Sequence, residues 1–76
     1  MATKRRAYLL YVAGEYCGPW PTVRAAMDAQ EHQADRAGFD LAWRIQDMDV
    51  TRYELEGLKE DDVSDEEWAD YQPARA

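Results

Sequence analysis

The sequence predicts a small single domain of the α+β class: an antiparallel, ββαββ-like sheet with one main helix packed on it and a short acidic C-terminal helix. Three observations lead there. Residues 7–13 are an apolar, aromatic-rich run that stops at Gly14. Residues 22–37 carry apolar side chains at helical spacing between Thr22 and Gly38. Residues 41–46 and 51–56 alternate apolar and polar with the two-residue period of half-buried strands. A chain of 76 residues has room for one domain. It divides by composition into a ββαββ core over 7–57 and an acidic segment over 58–76.

Gly14-Glu15 has the form of a two-residue type II′ hairpin loop, so Tyr16–Trp20 should return as a second strand. Pro19 cannot donate to a ladder, so that strand should be an edge or should end there, and Trp20 should fold over the sheet onto the core. Thr22 is a good N-cap, and Val23, Ala26, Met27, Gln30, Ala34 and Ala37 form the inward stripe of the helix. Gly38 belongs at a left-handed C′ position with Phe39 packing behind it. Leu41, Trp43 and Ile45 face inward on the third strand, Asp47-Met48-Asp49 turns the chain, and Thr51, Tyr53 and Leu55 face inward on the fourth. Either Tyr8, Leu10 and Val12 or Leu9 and Tyr11 complete the core. Ser64 and Glu67 have the spacing of a capping box, and Val63 with Trp68 that of a hydrophobic staple, so a short helix should cover 65–71, with 72–76 frayed.

Sixteen Asp and Glu against nine Lys and Arg give a net charge of −7. That balance excludes direct binding to nucleic acid, which requires neutralising phosphates, and attraction to an anionic membrane surface. No apolar run approaches the length of a spanning helix, and the short run after Lys4-Arg5-Arg6 lacks the cleavage pattern of a signal peptide. Cys17 stands alone, so no internal disulfide is available and a cytoplasmic location is expected.

The charge is unevenly placed. Residues 53–71 hold nine acids against Lys59 alone, whereas residues 1–38 are close to neutral. The acids are interleaved with Tyr53, Trp68 and Tyr71 and carry helix-cap signals, unlike a disordered acidic tail. The candidate partner-binding residues are Glu60, Asp61, Asp62, Asp65, Glu66, Glu67 and Asp70 around Trp68, flanked by Asp47, Asp49, Glu54 and Glu56. Outward residues on a strand repeat at about 6.6 Å and helical turns at about 5.4 Å. Carboxylates at such intervals form a ladder with a spacing comparable to that of successive phosphates. A Lys/Arg groove built for nucleic acid could accept it. The same acids are also what a solvated tail needs to keep a small protein soluble.

No catalytic, metal or cofactor site is expected. His32 with Asp28 and Asp35 reads as an exposed helix face, and the Asp47–Thr51 stretch departs from a calcium loop where Arg52 and Leu58 stand. The chain is read as non-enzymatic.

The stretch Tyr8–Ala29, with its strand, Gly14-Glu15 turn, Gly18-Pro19-Trp20 and Thr22-led Ala-rich helix, resembles small phage and mobile-element proteins of ββαββ type. With its acidic C-terminal half, the whole resembles anti-CRISPR proteins, several families of which are small, acidic occupants of nucleic-acid-binding grooves. The resemblance is one of size, layout and charge. It implies a stoichiometric inhibitor, monomeric or weakly dimeric, whose partner is a basic nucleic-acid-binding complex such as a CRISPR surveillance complex. A second function class stays open: a phage accessory or assembly module whose sheet carries the contact and whose acids serve solubility.

Overall fold

A computed structural model describes residues 3–74, and over them the chain is an α+β domain with a four-stranded antiparallel sheet. The elements in chain order are β1 (Lys4–Val12), β2 (Glu15–Trp20), α1 (Val23–Ala37), β3 (Trp43–Thr51), α2 (Arg52–Lys59), α3 (Asp65–Asp70) and β4 (Gln72–Pro73).

The central strand is β1. It pairs with β3 along its whole length, from Lys4 opposite Thr51 to Val12 opposite Trp43. Its other side is shared by β2, opposite Tyr8–Val12, and β4, opposite Arg5 and Arg6. Because strand side chains alternate between faces, β1 supplies two cores at once. Ala7 and Leu9 lie with Val50, Leu55, Val63 and Tyr71 under α2 and α3, while Leu10 and Val12 lie with Ala26 under α1. Both alternating sets of β1 are therefore buried, where the sequence suggested a choice between them. The sheet is covered on both faces.

The β1–β2 connection differs from the Gly14-Glu15 loop expected. Ala13 and Gly14 are the loop residues, with φ of 53° and 81°, and Val12 pairs with Glu15. Two successive positive φ values define a type I′ loop, whose twist matches that of the strands. Further along, the register slips between Leu9/Pro19 and Tyr11/Tyr16. The extra β2 residue forms a bulge, with Gly18 at φ 96°. The bulge bends β2 and carries Trp20 over the α1-side core, where its indole N–H donates to the Cys17 carbonyl at 3.2 Å.

Helix α1 has the caps expected of it. The Thr22 hydroxyl accepts from the Ala25 N–H at 3.0 Å, and left-handed Gly38 donates to the Ala34 carbonyl at 2.9 Å. Its inward stripe is rotated from the expected one. Ala26 and Gln30 are buried, while Val23 and Met27 are 45% and 39% exposed. The alanines let the helix approach Leu10 and Val12 closely, which leaves the larger side chains on its flank. Phe39 is 65% exposed and does not pack behind Gly38.

The largest difference lies after residue 46. Asp47-Met48-Asp49 is the middle of β3, because Arg6 on β1 bridges to both aspartates, at 3.7 and 3.4 Å, and makes a strand of what reads as a turn. The expected fourth strand over 51–56 is instead helix α2. Thr51 and Glu54 form a reciprocal capping box, the Thr51 hydroxyl accepting from the Glu54 N–H at 3.2 Å and the Glu54 carboxylate from the Thr51 N–H at 3.0 Å. The expected core positions Trp43 and Tyr53 are accordingly 43% and 85% exposed, and only Leu55 of that strand pattern is fully buried.

Ser64 caps α3 by accepting from the Glu67 N–H at 3.1 Å, and Val63 and Trp68 share one core cluster. The reciprocal limb of that capping box is missing, since the Glu67 carboxylate turns to Lys59. The expected fraying over 72–76 does not hold at its start: Gln72–Pro73 joins the sheet, and the Ala74 N–H donates to the Lys4 carbonyl at 3.1 Å. Residues 75–76 lie outside the described residues.

Candidate docking surface

The acidic residues between 54 and 70 fall on one side of the sheet, because α2, the 60–64 connection and α3 all cover the same face of β1. Asp47 and Asp49 do not join them: they alternate with Met48 and Val50 on β3 and so lie on the α1 face, opposite Tyr8 and Arg6. Their electrostatic state is less uniform than their spacing suggested. Arg52 bonds to Asp65 at 2.7 Å and lies 3.7 Å from Glu56. Lys59 holds Glu67 and lies 3.9 Å from Asp61. Asp47 and Asp49 are held by Arg6, and Glu54 by its own helix cap. Glu60, Asp62, Glu66 and Asp70 make no ion pair among the described residues, and all four are exposed.

Trp68 does not project as an anchor. It is half-buried against the core, and the Arg5 guanidinium lies 5.1 Å from the centroid of its ring. The same guanidinium donates to the Tyr71 carbonyl at 2.8 Å and the Ala69 carbonyl at 3.2 Å. Arg5 therefore brings a third cation to the acidic half of the molecule, one the local sequence count could not include. The carboxylate ladder is also broken, because Glu54 and Glu56 stand two apart on a helix and diverge in direction.

What the sequence did not reveal is a cleft of about 700 Å³ between β2 and the α2–α3 layer. Tyr16, Pro19 and Tyr71 give it aromatic and apolar walls, and Glu60, Glu67 and Asp70 rim it beside Lys59. The Tyr71 hydroxyl donates to the Pro19 carbonyl at 3.3 Å and ties the bent part of β2 to the end of α3. Burial, reinforced by Glu67 and Asp70, pushes the Tyr71 phenol up to about 12. Burial, with Tyr11, Tyr71 and Glu60 adding to it, pushes the Tyr16 phenol up to about 12. Both rings therefore stay neutral in a negative field. The one signal of this cleft in the sequence is Gly18-Pro19-Trp20-Pro21, a segment unsuited to continuing a strand.

Among the described residues no group of three His, Cys, Asp or Glu side chains could hold a metal ion, and no helix is long and apolar enough to cross a membrane. Cys17 is a free, half-buried thiol. Comparisons with protein-family models, curated proteins and solved structures give no match.

Proposed function

We propose that this protein is a non-enzymatic, protein-binding inhibitor of the anti-CRISPR type, whose acidic face stands in for nucleic-acid phosphates and blocks DNA or RNA binding by a basic partner complex. The observation that carries the proposal is the concentration of carboxylates on the α2–α3 side: of the nine acids between residues 53 and 71, those that form ion pairs among the described residues do so with Arg52 and Lys59. Glu60, Asp62, Glu66 and Asp70, which form no ion pair among the described residues, are exposed there: Glu66 and Asp70 on α3, Glu60 at the end of α2 and Asp62 between the two helices. A face of this sign steers a cationic groove towards itself over about 10 Å at 0.1 M salt and competes directly with phosphates. An accessory module that makes its contact through an open sheet face is disfavoured, since helices cover both faces of this sheet.

The test is competition with target DNA for a panel of purified CRISPR surveillance complexes, read by gel shift. Equimolar protein should prevent the DNA shift of a complex it recognises, and the effect should weaken as salt rises. Changing Asp61, Asp62 and Glu66 together to Lys should abolish it while circular dichroism stays unchanged. Inhibition that survives this reversal, or a panel in which no complex loses its DNA, would refute the proposal.

A further inference from the structure

The cleft between β2 and α3 holds features that a purely electrostatic face does not need. We infer that it is a binding site for an extended, arginine-bearing peptide segment of a protein partner, with the arginine side chain laid on the exposed Tyr16 ring and paired to Glu60 and Asp70. This deepens the docking role of the acidic face and rests on it for the partner's charge, but not for what the partner is blocked from binding.

Four observations support this occupant. The cavity, at about 700 Å³, lies within the 300–1,000 Å³ range of sites for small ligands and short segments. Its sign is negative: Lys59, the cation on its rim, is engaged by Glu67, which leaves Glu60 and Asp70 without a cationic partner.

The third observation is the way this molecule already satisfies its arginines. Arg5 lies over Trp68, and Arg44 lies 4.1 Å from the ring centroid of Tyr11. Tyr11 in turn packs 5.4 Å from Tyr16. The stack Arg44–Tyr11–Tyr16 thus reaches the cleft wall. Among the described residues, no guanidinium or ammonium covers the exposed ring of Tyr16. A planar guanidinium can both stack on a phenol ring and fork onto a carboxylate, which a lysine ammonium does less well.

The fourth is the backbone at Glu60. This residue ends α2 with φ 63°, the left-handed conformation that Gly38 supplies at the end of α1. A carboxylate is kept on the cleft rim at a position where glycine would be less strained. Such outliers concentrate at functional sites. The peptide's main chain is not the source of affinity, because Pro19 and Pro21 have no N–H to pair with an added strand, and the Pro19 carbonyl already accepts from Tyr71.

The experiment is fluorescence-anisotropy titration of a labelled octapeptide of alternating arginine and proline at 0.15 M salt, with the lysine-for-arginine peptide as control. The arginine peptide should bind at least 5-fold tighter than the lysine peptide. Tyr16→Ala and the pair Glu60→Gln with Asp70→Asn should each weaken binding at least 5-fold. The triple reversal of Asp61, Asp62 and Glu66 lies outside the cleft and should weaken binding less than either cleft variant does, through lost long-range attraction alone. Amide shifts in a ¹⁵N spectrum should move at Tyr16, Gly18, Trp20 and Tyr71. Equal binding of both peptides, indifference to the cleft variants, or shifts confined to the 61–66 region would overturn the inference. Peptide binding at the cleft without inhibition of any surveillance complex would refute the mimicry proposal alone.

Discussion

Arg5, on the central strand, lies 5.1 Å from the ring centroid of Trp68, on the last helix, and its guanidinium also donates to the two backbone carbonyls of Ala69 and Tyr71. One side chain therefore satisfies the open carbonyl end of a six-residue helix that has no basic residue of its own in its last turn. Charged hydrogen bonds of this kind contribute about 1.5–3 kcal/mol, and a stacked cation adds about 0.5–1 kcal/mol. Arg5→Ala should cost about 2–3 kcal/mol. Native-state amide exchange should accelerate over 65–71 before it does in β1 and β3. Uniform acceleration across the sheet would show that the contact is not local to α3.

The core gives a second prediction. Leu10 is fully buried, whereas Trp43 is 43% exposed at the start of an edge strand. Leu10→Ala should cost about 2–5 kcal/mol in urea melts, and Trp43→Ala about 1 kcal/mol or less. The reverse order would mean that the α1 side of the sheet is packed differently.

These two positions also show how much of the fold was legible in the sequence. Local signals with a fixed chemistry were legible: the Thr22 and Ser64 caps, Gly38 at the left-handed position, and the apolar run of β1. Signals with two meanings were not. Thr51–Glu56 alternates like a strand, yet Thr51 and Glu54 also have capping-box spacing, and Leu55 and Leu58 then fall on one helical face. The box won because it satisfies two helix-end donors at once. Asp47-Met48-Asp49 reads as a turn because the arginine that holds it in a strand is far away in sequence. The same limit applies to the docking surface. The acids were legible as a cluster, but the pairing of Asp47 and Asp49 with Arg6 and of Asp65 with Arg52, and the cleft opposite Tyr16, depend on which strands and helices meet.

The α2 cap should give a pH signature. Hydrogen bonds from the Thr51 backbone N–H and then its hydroxyl hold the Glu54 carboxyl below its ordinary value of 4.5. A carboxyl lowered by folding stabilises the folded state above its unfolded value and loses that contribution as pH falls through the lowered one. Amide protection at the start of α2 should therefore fade on acidification below about pH 4.5, and Glu54→Gln should remove that dependence. Thr51→Ala should destabilise the helix at neutral pH by about 1 kcal/mol. Protection in α2 that is flat with pH in the wild type would contradict the cap.

The β1–β2 loop offers a stabilising change. Ala13 holds a left-handed conformation with φ 53°, which an alanine adopts at a cost of about 1–2 kcal/mol. Asparagine is favoured at the first position of a type I′ loop, and Gly14 already occupies the second. Ala13→Asn should raise stability by about 0.5–1 kcal/mol, since the Ala13 N–H bond to the Ala42 carbonyl is unaffected. A lower melting temperature would show that the loop is not type I′.

Glu60 brings stability and binding into opposition. At φ 63° it ends α2 where glycine avoids a Cβ penalty, and no atom competes for that backbone at the equivalent Gly38. Relief of about 1–2 kcal/mol of left-handed strain is partly offset by the greater freedom of glycine in the unfolded chain, about 0.5–1 kcal/mol. Glu60→Gly should therefore stabilise the fold by about 0.5–1 kcal/mol. It also deletes a carboxylate from the cleft rim, so affinity for the arginine peptide should fall. Glu60→Gln separates the two effects: it keeps the strain and loses only the charge, so it should weaken the peptide without raising the melting temperature. A residue kept for helix termination alone would give a Gly variant that is more stable and binds equally well.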